Sequence, residues 1–249
     1  MNKQNKKLWY LAAIGILSYM VADIIHEVIG HGGTSLITGN KIELLTMVYF
    51  KSSPGNILVD IGGPIANLFF GGLSYYMLTK SSFAQLFLFQ VTAYNLFWFS
   101  GTILHSAISH TGDWTFAMKE LLSEPYSKIL LISAGILFYM MILRILNYYL
   151  SLDTNEQQTE PLTKHNILYS FIFAALGSFV AGLFYATDRL HSGLEGLLEM
   201  AASLPILFLK FRKNTIDKTY QFRQNYYVEL AVFILYIAFC LTLGKGITN

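Results

Sequence analysis

Six stretches of this chain are apolar over the ~20 residues that a helix needs to cross a bilayer, near 8–31, 57–79, 84–109, 127–150, 166–187 and 227–246. A lipid interior offers the backbone no water, so spans of this kind fold as helices. A shorter run at 194–210 opens with Glu195 and Glu199 and is a weaker seventh. The sequence therefore predicts an all-α fold, a polytopic transmembrane bundle of six or seven helices. Of its 249 residues 54% are hydrophobic and 13% charged, with a mean hydropathy of +0.47, which excludes an ordinary soluble domain. A net charge of +2 gives no footprint for nucleic acid. Lys and Arg instead gather at the ends of the apolar runs, as topology signals do. The expected surroundings are a lipid bilayer, and the expected partner is a membrane protein or peptide; nothing in the sequence sets an oligomeric state. The first run follows Met1 to Lys7, is too long for a signal peptide and carries no small-residue cleavage site, so it reads as a retained helix. Cys240, the only cysteine, excludes a disulfide or a cysteine metal cluster within one chain.

Between the first two runs, Thr38 to Phe50 opens on turn residues and then favours extended structure. It reads either as a short hairpin at the membrane edge or as a plain surface loop. Residues 151–163 form a polar linker. It divides a core, 1–150, holding the dense polar motifs, from accessory helices at 164–249. Seven crossings would put the amino terminus, Lys80, the linker and Lys210 to Arg223 on one side. Their excess of basic residues predicts a cytoplasmic amino terminus in the cell membrane, with His31 near the outer face.

The densest chemistry lies in His26-Glu27-Val28-Ile29-Gly30-His31. Imidazoles bind Zn²⁺ well, and a carboxylate beside them can take a proton from water. The metalloprotease pattern H-E-x-x-H stacks its histidines on one helix face. Here one residue is added, and in a regular α-helix positions i and i+5 point roughly 140° apart. Both rings reach one ion only if the helix is locally overfilled, as in a π-bulge, or breaks at Gly30, Gly32 or Gly33. Otherwise the histidines only hydrogen-bond within the bundle. A catalytic zinc takes a third protein ligand. Asp113, in a Gly-containing turn after an apolar run, is the leading candidate, against a helix-end Asp in water. His105 and His110 are alternative ligands or donors that orient one. Asp60-Ile61-Gly62-Gly63-Pro64-Ile65-Ala66-Asn67 heads the second run, where small residues permit close helix approach and Pro64 suits a helix start.

His26-Glu27 with His31, then Gly63-Pro64-Ile65-Ala66-Asn67, then Asn95 and Gly112-Asp113, resembles the motif order of the site-2 protease family of intramembrane zinc metalloproteases. The resemblance covers roughly residues 8–118. It implies that His26, His31 and Asp113 bind Zn²⁺, that Glu27 is the general base, and that Asn67 and Asn95 hold the substrate strand or transition state. The chain departs from the family in its longer His–His spacing, which is seen in TldD metalloproteases, and in Gly112-Asp113-Trp114 where the family has Asp-Gly. Members of the family also place the site toward the cytoplasm, against the charge count.

Two other readings stand beside it. Ser100, His105, His110 and Asp113 are similar to the zinc lipid amidases of the alkaline ceramidase and adipoQ-receptor superfamily, although the run from Tyr227 to Leu243 lacks the histidines those proteins carry on their last helix. A non-catalytic scaffold or transport-like protein would use Asp23, Asp188-Arg189, His191, Glu195 and Glu199 as an ion path, or, for 188–199, simply as an interfacial boundary.

Overall fold

Residues Gln4–Thr38 form one continuous rod that opens the chain. It consists of α1 (Lys3–Asp23), a π-helical segment (Ile24–Gly32) and α2 (Gly33–Thr38), closed by Gly39 in the left-handed region. The computed structural model describes residues 3–81, 83–124, 126–152, 162–211 and 225–248.

Next come two strands, β1 (Lys41–Leu45) and β2 (Phe50–Ser53), paired antiparallel with Leu45 opposite Phe50. The Thr46 hydroxyl closes their turn by accepting from the Val48 and Tyr49 amides at 3.1 and 2.6 Å. The expected hairpin therefore forms. It also gains a third strand, β3 (Ile247–Thr248), on the far side of β1, giving the order β2-β1-β3.

The long helices are α3 (Ile57–Lys80), α4 (Gln85–Ser109), α6 (Tyr126–Ser151), α7 (Lys164–Gly182) and α9 (Tyr226–Phe239). Asn56 starts α3 by accepting the Leu58 amide at 2.9 Å. Pro64 thus lies inside the helix rather than at its start, and removes one helical hydrogen bond. Two shorter helices, α5 (Asp113–Leu121) and α8 (Arg189–Ala201), sit between the long ones.

Among the described residues five segments are long and apolar enough to cross a membrane: Gln4–Thr38, Ile57–Lys80, Tyr126–Ser151, Lys164–Gly182 and Tyr226–Gly244. Six or seven were expected, and the shortfall has two physical causes. The run at 84–109 does form α4, but Gln85, Gln90, Asn95 and Ser100 lower its apolarity, and all four are buried. This helix sits inside the bundle, where Gln90 donates to the Ile167 carbonyl at 3.0 Å. The run at 194–210 breaks into α8 and a 3₁₀ turn. The 13 residues of α8 reach about 20 Å, short of a ~30 Å hydrocarbon layer.

Large apolar side chains stay exposed on the outer faces, among them Phe69, Leu137, Tyr148 and Ile234, each more than half exposed. Such a belt is unfavourable in water and fits lipid. One buried cluster runs through both halves of the chain, joining Leu11, Tyr19 and Phe97 to Phe171 and Phe239. Most of the expected linker (153–161) and of the segment Lys210 to Arg223 lies outside the described residues. The charge count for orientation presupposed seven crossings, which five candidate spans do not supply.

Candidate metal centre

A π-helix closes its hydrogen bonds from i to i+5, so residues five apart stack on one face. His26 and His31 lie in such a segment, and their rings meet. The two Nε2 atoms are 3.2 Å apart, the ring centroids 4.8 Å, and both residues are buried. Of the two routes open to the added residue, overfilling the turn is the one taken.

Hydrogen-bond partners set the orientation of both rings. Nδ1 of His31 is 2.7 Å from the Val59 carbonyl, which can only accept, so the proton sits on Nδ1 and Nε2 keeps its lone pair. For His26 the constraint runs through three residues. The Asn95 amide donates to the Val91 carbonyl at 2.8 Å, which turns its Oδ1 toward Asn67. Asn67 Nδ2 donates to that oxygen at 2.8 Å, leaving Asn67 Oδ1 to accept from His26 Nδ1. Nε2 of His26 is therefore also a lone-pair atom. Two such atoms 3.2 Å apart repel unless a proton or a cation lies between them. Ligands at about 2.0–2.1 Å from a shared ion, subtending about 100°, have this separation.

Asp113 completes the set. Its Oδ2 is 3.4 Å from His26 Nε2 and its Oδ1 is 3.6 Å from His31 Nε2. The three donor atoms lie within 4.8 Å of one another. The chain reaches this point through a tight turn after α4. Gly112 adopts φ 97°, the left-handed region that favours glycine. The Trp114 amide then donates to Ser106 at 3.1 Å and the Trp114 indole to Thr102 at 3.2 Å, docking α5 on α4. Burial works against the Asp113 charge, but the bond to His26 and the facing imidazoles hold its pKa below the usual carboxylate value. Two imidazoles and one carboxylate, all with fixed donors, match the ligand set of a zinc or similar divalent ion.

Glu27 is buried beside this group, with Oε1 4.0 Å from His26 Nε2. Among the described residues its Oε2 has no hydrogen-bond partner. A cavity of about 590 Å³ lies beside this group, and Glu27, His26 and Asp113 form part of its wall. Helix α3 passes very close behind. A Cβ built on Gly63 would lie 2.8 Å from His26 Nε2 and closer still to His31, so only glycine fits there.

The remaining expected residues fall in different places. Asn67 and Asn95 are fully buried and do not line the cavity. Asn67 contacts His26, and Asn95 contacts Asn67 and the Val91 carbonyl. His105 lines the cavity beside Asp113, and His110 turns outward to Glu124 at 3.0 Å. Sequence reasoning passed over the α4 residue Trp98 and Tyr139 of α6, and it took Glu195 and Glu199 of α8 for an ion path or an interfacial boundary; all four line the same cavity. Only the i, i+4 spacing of the two glutamates at the head of an apolar run hinted at α8. Phe50, which stacks on His31 at 5.2 Å, gave no such signal. No family model, curated protein or solved structure matches the chain.

Proposed function

We propose that the chain is an intramembrane metalloprotease of the site-2 type, hydrolysing a peptide bond of a membrane-embedded substrate. One observation carries this reading: the π segment converges two lone-pair imidazole nitrogens on Asp113 while leaving a buried, unpartnered Glu27 oxygen at the same cavity.

His26, His31 and Asp113 would hold the ion. When bound, zinc supplies Lewis acidity toward a peptide carbonyl and makes water acidic enough to lose a proton near neutral pH. Glu27 Oε2 is the acceptor at hand for that proton and returns it to the departing amine nitrogen. Asn67 and the Val59 carbonyl keep both rings aimed throughout, and Asn95 keeps Asn67 aimed. An unwound substrate needs a backbone partner. β1 is paired on both sides, so among the described residues the open edges belong to β2 and the two-residue β3; β2 is the longer, and its Phe50 lies against His31.

The test is cleavage of a membrane-anchored peptide reporter by the purified full chain. Wild type is expected to retain zinc and cut, and Glu27→Gln to retain zinc without cutting. His31→Ala is expected to lose both. Wild-type protein that neither binds zinc nor cuts would refute the reading.

A further inference from the structure

The cavity holds more carboxyl groups than the reaction uses. Asp113 belongs to the metal group and Glu27 to proton transfer, yet Glu195 and Glu199 also line the wall. They stand one turn apart on α8, on one helix face. Among the described residues Glu199 Oε2 is sealed from solvent and has no hydrogen-bond partner, while Glu195 lies 3.6 Å from His191. Among the described residues no Lys or Arg lines the cavity.

A buried carboxyl without a counterion is costly, and at the wall of a cavity an entering cation is one way to complete it. Burial, together with the charges of Asp23, Glu27, Glu195 and Asp113, raises the pKa of Glu199, so an entering cation would relieve it. A second divalent ion does not suit the place. Among the described residues the only group of three or more converging His, Cys, Asp or Glu ligand atoms is the one already described. Val48, Trp98, Leu198 and Tyr139 give the wall an apolar and aromatic part, beside the polar Thr102 and His105. Such a wall fits a long aliphatic stem, with rings to lie against a cationic head.

We propose that Glu199, assisted by Glu195, forms the subsite that receives a lysine or arginine side chain of the substrate, beside the bond that is cut. This rests on the protease reading for the word substrate, but recognition of the cation does not.

The test uses the full chain in detergent with two readouts. One is saturation-transfer NMR titration with N-acetyl-lysine methylamide and its norleucine counterpart. The other is kcat/KM for anchored peptides carrying Lys or norleucine at each position around the mapped cut. Wild type is expected to favour Lys by about 30-fold in both, the scale on which a buried charge pair is lost. In Glu199→Gln the ratio is expected to fall close to one, and in Glu199→Lys to turn over in favour of norleucine. Glu195→Gln is expected to lower it in part. Equal binding of the two amides by wild type, or an unchanged ratio in Glu199→Gln, would overturn the subsite. Selective amide binding without any peptide cleavage would support the subsite and refute the protease reading alone. Cleavage with no preference for a basic residue would do the reverse.

Discussion

Replacing Gly63 by alanine tests whether α3 is shaped around the two imidazoles. The added methyl would sit 2.8 Å from His26 Nε2, where ordinary contact begins at 3.4 Å. The ring would have to retreat by roughly 0.6 Å, and His31 by more, whereas metal–ligand distances tolerate only about 0.2 Å. Retreat of α3 is no easier, because it would open the close backbone contact of Gly62 and Gly63 with Gly30, and Gly71 of the same helix already lies against Leu96 and Asn95 of α4. Displacements of this order weaken a metal site at least as much as losing an outer hydrogen bond, about 10- to 100-fold, or ~1.4–2.8 kcal/mol. Gly72, on the same helix, has nothing within 4 Å of an added Cβ, so Gly72→Ala is the control and should be neutral or slightly stabilising. Zinc affinity by competition with a chromophoric chelator, alongside thermal unfolding, separates the outcomes. Undiminished zinc affinity in Gly63→Ala, or an equal loss in Gly72→Ala, would refute the packing argument.

Three further outcomes are expected. Glu27→Gln should reduce reporter cleavage by about 10²- to 10⁴-fold with zinc content unchanged, measured by turnover and elemental analysis. Asn67→Ala frees the His26 ring and should weaken zinc binding by about 10- to 100-fold. Asn95→Ala should do the same to a smaller degree, and the double variant should add little to Asn67→Ala because the two act in series. Chelation should lower the thermal midpoint, since an ion bound only by the folded chain at 100 times its Kd adds ~2.7 kcal/mol; an unchanged midpoint would indicate no bound metal.

Much of the architecture was legible because apolar length reports on helices crossing lipid. Five of the six long runs became candidate spans, and the sixth became a helix that its glutamines and asparagine keep in the interior. The extended character of Lys41 to Leu45 and Phe50 was also readable, but β3 was not, since two residues carry no periodicity. At the site, residue types identified His26, Glu27, His31 and Asp113, whereas their convergence depended on a π turn, which local sequence does not signal. The positioning role of Asn67 required knowing that Asn95 and Val91 lie in line behind it. Glu199 was visible as a polar residue, but its place beside the metal group was not. It comes from the half of the chain beyond the polar linker, and only tertiary packing brings α8 to the cavity.

The most direct measurement is X-ray absorption at the zinc edge of purified wild-type protein and of His31→Ala. Two imidazole nitrogens at about 2.0–2.1 Å with at least one oxygen ligand are expected in wild type, and a single imidazole or no bound zinc in the variant. A wild-type spectrum with fewer than two imidazoles, or one unaltered by His31→Ala, would contradict a cation shared across the π turn.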